Sequence, residues 1–235
     1  MNLVIPLKTG TQSKEVIYAI RSFQKHIIGI SGLIILGEKD NRLKDVKYIK
    51  CKEDKLSQFK ERNIYRKILS ACISDEVSEN FVFANDDHFL LKDYDVNKLP
   101  YYYKGELYES MKITNPGYRK SLNHTRRHLM NNNYPTKDFD VHFPIVYNKN
   151  SFICTQRGID WDKEYGYVIK SLYANTLNIE GEQMNDCKIK EKLTYNQIKE
   201  RLNNRDWFST ADHAINDDMI KFLEETYPNK SKYEK

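Results

Sequence analysis

The sequence predicts an α/β protein: a mixed, mainly parallel sheet flanked by helices, followed by a less regular C-terminal half. Three observations carry this. Short apolar runs alternate with helix-patterned segments through the first ninety or so residues, as βαβ units do. Two of those runs, residues 32–37 and 81–84, are apolar without alternation, which is the pattern of strands covered on both faces. The chain has 235 residues, 40% of them hydrophobic, enough to bury a sizeable core.

Taken in order, Leu3-Val4-Ile5 is a short β run that Pro6 stops, and Lys8-Thr9-Gly10-Thr11 is a loop. Ser13 is placed to cap a helix whose apolar positions Val16, Ile20, Phe23 and Ile27 recur at helical spacing. Residues 32–37 form the second strand and 46–49 the third. Residues 59–74 form a second helix on Ile64, Ile68, Leu69 and Cys72. Residues 81–84 are the fourth strand, ending abruptly in Asn85-Asp86-Asp87-His88. Beyond it, residues 101–105 read as loop or edge strand, 119–131 as a basic helix, and 140–147 as a strand interrupted by Pro144. Trp161, Tyr165, Val168, Ile169 and Leu172 fall on one helical face. Thr194-Tyr195-Asn196-Gln197 is a capping box, and the last helix begins near Asn216 with Met219, Ile220 and Leu223 inside it. No internal repeat or Gly/Ser linker divides the chain, so residues 1–235 are expected to form a single domain.

Composition excludes several classes. The longest apolar stretch, residues 27–36, is broken by Gly29, Ser31 and Gly32 and is half the roughly 20 residues of a spanning helix, so no membrane span is expected. No secretory signal and a cytoplasmic location are expected from residues 1–10 (MNLVIPLKTG). Four cysteines stand singly with no CxxC pair, which excludes a zinc knuckle and favours reduced thiols. A net charge of +5 suits a phosphate-bearing partner without identifying one. Seventeen tyrosines offer flat apolar faces with polar tips, suited to sugars and bases or simply to half-buried surface.

The sharpest local feature is Asn85-Asp86-Asp87-His88. Two carboxylates directly after a buried strand are costly unless something cationic meets them. In open α/β sheets the ligand crevice lies at the carboxyl ends of the strands, where this motif falls. Such oxygens are hard ligands for Mg²⁺ or Mn²⁺, an ion that takes its other ligands from water and substrate phosphates and neutralises a departing diphosphate. The competing reading is a polar turn. His142, in Asp140-Val141-His142-Phe143-Pro144, is the imidazole that Mn²⁺ accepts beside carboxylates, or an ordinary half-buried histidine. Asp217 and Asp218 follow the good N-cap Asn216, so their plainest role is to complement a helix dipole.

Residues 81–91 (FVFANDDHFLL), the histidine ahead of Pro144 and the ending Ile215-Asn216-Asp217-Asp218 with residues 227–235 (YPNKSKYEK) resemble the blocks of the Stealth proteins, enzymes that transfer a hexose-1-phosphate from a nucleotide-sugar. More broadly, the strand-then-acid layout is similar to the GT-A (Rossmann-like) fold of metal-dependent glycosyltransferases. The resemblance implies that Asp87 binds the divalent ion, that Asp86 sits near ribose or metal, and that His142 belongs to the active centre. It matches Asn216 and Asp217 to the family's final Asn-Asp, and Asp217 becomes a candidate for positioning the acceptor. It places the base and ribose on Pro6, Leu7, Lys8 and Thr9, and makes residues 1–100 the nucleotide-sugar half and 101–235 the acceptor half. One departure is plain: Gln12 stands where those proteins carry an acid after the first strand, and a glutamine is no general base.

Arg62 and Arg66 are four apart on the second helix and share a face, suited to donor phosphate or to solvent. The expectation is therefore a glycosyltransferase dependent on Mn²⁺ or Mg²⁺. It would move a sugar from a nucleotide-diphosphate sugar, a UDP-sugar in the first instance, to a hydroxyl of a glycan or of DNA. Asn85, Asp86, Asp87 and His142 would lie at its centre. Two alternatives stand beside it. One is sugar-1-phosphate transfer. The other is a non-catalytic nucleic-acid binder using Arg119, Lys120, Arg126 and Arg127 with Tyr118 and His128.

Overall fold

A computed structural model describes residues 1–8, 13–112 and 115–235. The chain opens with β1 (Asn2–Pro6), α1 (Val16–His26), β2 (Ile27–Ile28), β3 (Gly32–Leu36), β4 (Lys47–Ile49) and α2 (Lys60–Ile73). Next come β5 (Asn80–Phe83), β6 (His88–Leu90), β7 (Tyr94–Asp95), β8 (Tyr102–Tyr103), α3 (Leu107–Ser110) and α4 (Pro116–Asn131). The remainder holds β9 (Ile145–Asn148), α5 (Lys149–Thr155), α6 (Ile169–Thr176), β10 (Glu182–Gln183), β11 (Lys188–Ile189), α7 (Tyr195–Leu202), β12 (Trp207–Thr210) and α8 (Asp217–Thr226).

The central sheet runs β4-β3-β1-β5-β9, parallel except for β9. The expected fold class holds: mixed α/β, a mainly parallel sheet with helices on both faces. Its strands are buried on both sides because their residues alternate between two cores. Leu3, Ile5, Leu33, Ile35 and Val82 pack with α1, α7 and α8 through Ile20, Phe23, Ile198, Met219 and Leu223. Val4, Ile34, Leu36, Phe81 and Phe83 face the other way, onto Ile68, Leu122, Phe152 and Leu172 of α2, α4, α5 and α6. The C-terminal half is woven into this body. It supplies β9, and Glu234 accepts a two-pronged contact from Arg21 of α1 at 2.6 and 2.8 Å.

Register sets the site. β1 stays paired with β3 from Asn2↔Gly32 to Pro6↔Leu36, but with β5 only from Asn2↔Phe81 to Val4↔Phe83. Past that point β1 leads toward α1 and β5 into the Asn85–His88 turn, so the sheet opens between them. This is the point where strand order reverses, the usual crevice of a doubly wound sheet. A second sheet, β11-β12-β6, grows directly out of that turn.

Local signals behave as the chemistry dictates. Ser13 Oγ accepts from the Val16 N–H at 3.1 Å, and Thr194 and Gln197 close their capping box. Two expectations are corrected. The strand expected over residues 140–147 begins only at Ile145. Pro144 has no N–H to give a ladder, and the carbonyls of Val141 and Phe143 are met instead by Lys170 Nζ, both at 2.7 Å. The helical face from Trp161 to Leu172 is helical only from Ile169. Tyr165 (φ 63°) and Gly166 (φ 47°) are left-handed, which a right-handed helix does not accommodate.

Candidate functional site

The Asn85–His88 segment is a tight turn. The Asn85 carbonyl accepts from the His88 N–H at 3.3 Å, and the Asn85 N–H donates to His88 Nδ1 at 3.4 Å. The turn thus sets both carboxylates against the start of α1. Asp86 is pushed up to about 7 by burial and by Asp87, with Glu15 adding to it and a hydrogen bond from Ser13 opposing. Glu15 is raised too, by burial first and then, against its own backbone hydrogen bond, by Asp212 and Asp87. Four carboxylates therefore crowd one rim of the crevice with few cations to balance them.

Asp87 is the exception on one side only. Its Oδ2 meets Lys188 of β11 at 3.0 Å. Its Oδ1 is buried without a hydrogen-bond partner, as are His88 Nε2, Ser209 Oγ and Thr210 Oγ1. His88 Nε2 lies 3.7 Å from that Oδ1, beyond hydrogen-bonding range. His88 itself is held well below the usual histidine range by burial and by the charges of Lys170, His142 and Lys188.

The opposite wall is built differently. His142 Nδ1 lies 2.5 Å from Asp186 Oδ2, and the His142 N–H donates to Asp186 Oδ1 at 3.1 Å. Burial pushes Asp186 up, but the hydrogen bonds and charge of His142 together with Lys104 hold it below the usual carboxylate range. Asp140 likewise ends below that range: burial is outweighed by Lys104, His142, Lys170 and a hydrogen bond from Tyr118 of α4. Lys170 is brought down to about 8 by burial, against the pull of Asp140 and Asp186. Glu61, at the start of α2, is pushed up to about 7 by burial and Asp140. The His88 and His142 rings meet edge-on at 6.3 Å and join the two walls.

As a cation site, the acidic rim fits in one respect. Asp86 and Asp87 offer hard oxygens, one of them orphaned. Among the described residues no three His, Cys, Asp or Glu side chains converge as a ligand set. Asp87 and His142 belong to separate pairs, with Lys188 and with Asp186. An ion here would be held by the two carboxylates and completed by water and phosphate, the mode Mg²⁺ favours.

The remaining sequence candidates are placed as follows. Pro6 and Leu7 are buried at the end of β1. The Leu7 carbonyl accepts from Lys67 at 2.6 Å, and a Cβ on Gly37 (φ 126°) would collide with that carbonyl. Lys8 is exposed, while Thr9 and Gln12 lie outside the described residues. Arg62 pairs with Asp54 at 2.7 Å and Asp162 at 2.8 Å, and Arg66 with Asp54 at 2.9 Å, so both charges are already matched within the chain. Asn216 caps α8 by accepting from the Met219 N–H at 2.9 Å, and Asp217 is exposed in that helix's first turn. The acid that acts on Glu15 is Asp212. Sequence reading missed Glu15, Lys104, Lys170, Asp186, Lys188 and Asp212. None of them lies in a motif, and no local signal marks them.

No family model matches the chain, and no curated protein matches it. The Stealth likeness thus rests on the quoted residues alone. Among solved structures the chain is similar to the apo form of the glycosyltransferase GlyE of Streptococcus pneumoniae TIGR4. The TM-score is 0.40 and the identity 11%, over 97% of this chain and 60% of that one. The chain thus spans about three fifths of that protein's length.

Proposed function

We propose that the crevice between β1 and β5 binds a nucleotide-diphosphate sugar and transfers its sugar to an acceptor hydroxyl. One observation carries this reading: the two carboxylates at the strand-order reversal are only partly met by the chain. Asp86 is raised to about 7 by burial and Asp87, and Asp87 Oδ1 has no partner. Groups held in that condition mark a place where a cation and its phosphates belong.

Asp86 and Asp87 would hold Mn²⁺ or Mg²⁺, which when bound supplies the counter-charge for a departing diphosphate. The chain's own residues do the rest. Lys188 fixes Asp87, and Asp186 commits Nδ1 of His142, leaving Nε2 as the nitrogen to take the acceptor's proton. The acceptor oxygen bonds to the anomeric carbon as the bond to diphosphate breaks.

Purified protein would be incubated with UDP-, GDP-, ADP- and CDP-sugars, with Mn²⁺ or with EDTA, and the released nucleotides resolved. Cleavage of one donor to its nucleoside diphosphate, only with metal and not by Asp87→Asn, is the expected result. Release of the monophosphate would replace it with sugar-1-phosphate transfer. Absence of both cleavage and metal-dependent donor binding overturns the reading.

A further inference from the structure

Outside the crevice, α4 and the loop before α6 enclose a groove of about 370 Å³ lined by His124, Arg127, His128, Lys163 and Tyr167. The groove is built rather than incidental. Ser121 Oγ donates to the Tyr165 carbonyl, His124 Nδ1 lies 3.0 Å from the Gly166 carbonyl, and Thr125 Oγ1 accepts from the Val168 N–H at 2.8 Å. These contacts pin the left-handed Tyr165-Gly166 pair against the helix.

Its cations are not tied up in ion pairs. Among the described residues, neither Arg127 nor Lys163 makes an ion pair, and both are exposed. Lys120 lies one turn away, with its Nζ 4.4 Å from the Tyr165 ring centre. Burial holds His124 below the usual histidine range, with Lys163, Arg127 and Lys120 adding to the effect against the Gly166 hydrogen bond, and burial alone does the same for His128. Acids flank one end of it: Asp160 acts on Tyr167, Asp162 is paired with Arg62, and Glu164 is exposed beside Lys163. Cations alone would suit any polyanion. Imidazole rings beside Tyr167, at 5.8 and 6.3 Å between ring centres, favour one whose repeating units carry flat faces.

We propose that this groove binds a single-stranded nucleic-acid segment, its phosphates on Lys120, Arg127 and Lys163 and a base against the imidazole rings. The groove lies about 9–15 Å along the α4 axis from Tyr118, which hydrogen-bonds Asp140 in the crevice wall. Naming that segment as the acceptor rests on the transferase reading; the binding itself does not.

The test is fluorescence anisotropy with a 12-nucleotide single-stranded DNA, no nucleotide-sugar present, over a range of salt. Binding is expected to fall with log[salt] at a slope of about −2 for three phosphate contacts. Arg127→Ala with Lys163→Ala is expected to weaken it about 20-fold at 0.1 M salt and flatten the slope by about 1.4. Lys199→Ala with Lys221→Ala removes equal charge elsewhere and is expected to cost under threefold. Equal losses in the two double variants, or no binding by the wild type, overturns the proposal. Binding of poly(glycerol phosphate) but not of DNA also overturns it, in favour of a phosphate-bearing glycan. Because no donor is present, failure here leaves the transfer assay standing, and failure there leaves this one.

Discussion

The two walls of the crevice both carry buried acids, and they treat them in opposite ways. On the β1–β5 side, Glu15 and Asp86 are raised by burial and by neighbouring carboxylates, and one oxygen of Asp87 is left without a partner. On the far side, Asp140 and Asp186 are lowered because Lys104, Lys170 and His142 stand among them, and only Glu61, at the start of α2, is raised. A charge cluster balanced within the chain can be complete by itself. One left unbalanced at a sheet's switch point is completed by something that binds. On the proposed reading, the first wall holds the ligand and the second handles the proton.

The largest effect expected is on the unbalanced wall. Asp87→Asn should lower metal-dependent turnover about 10³-fold and leave the fold intact, checked by steady-state kinetics beside thermal melts. On the balanced wall, His142→Asn should lower kcat about 10²-fold with KM little changed. Asp186→Asn acts through the histidine, so it should cost about tenfold and displace the pH profile of kcat. Equal losses from Asp87→Asn and Asp186→Asn in both metal affinity and kcat would erase the division between the walls.

pH dependence separates the raised acids from the lowered ones by sign. A carboxyl raised in the folded state keeps its proton while the unfolded chain loses it. Stability from Asp86 should therefore decline as pH rises from about 4 to about 7, by about 2–4 kcal/mol. Asp140 and Asp186, held below their ordinary values, contribute stability above pH 4 that is lost as pH falls through their folded values. Urea titrations in EDTA across pH 3–8 should show the decline, Asp86→Asn should remove part of it and leave the share of Glu61 and Glu15, and Mn²⁺ should stabilise more at pH 8 than at pH 5. The smallest effect is expected at Arg66, whose partner is Asp54. Arg66→Ala should change kinetic constants less than twofold and stability by no more than about 1 kcal/mol. A large rise in donor KM would return that helix face to the site.

Legibility followed the range of the interactions. β3 was readable because four successive apolar residues need cover on both faces. The Ser13–Val16 hydrogen bond and the Thr194 cap were readable because each reaches only three residues along the chain. The segment over residues 161–168 was misread. An apolar spacing does not reveal that Tyr165 and Gly166 turn left-handed where Ser121, His124 and Thr125 hold them. At the site, Asp86, Asp87 and His142 stood out by their places beside strands. Asp186 and Lys188 did not, lying just before and within a two-residue strand.

By itself, then, the sequence determined the parallel sheet, its helices and the position of an acidic turn at the end of β5. All of these follow from periodicity, capping and turn chemistry within a few residues. Only the tertiary structure decided which charges meet. Lys188 reaches Asp87 across 101 positions and Asp186 reaches His142 across 44. Lys104 and Lys170 come in from β8's loop and α6 to balance one wall and leave the other short of cations. Coulomb energy depends on separation and burial, and neither is encoded in local pattern. Both are set when the loops between the elements close over the sheet.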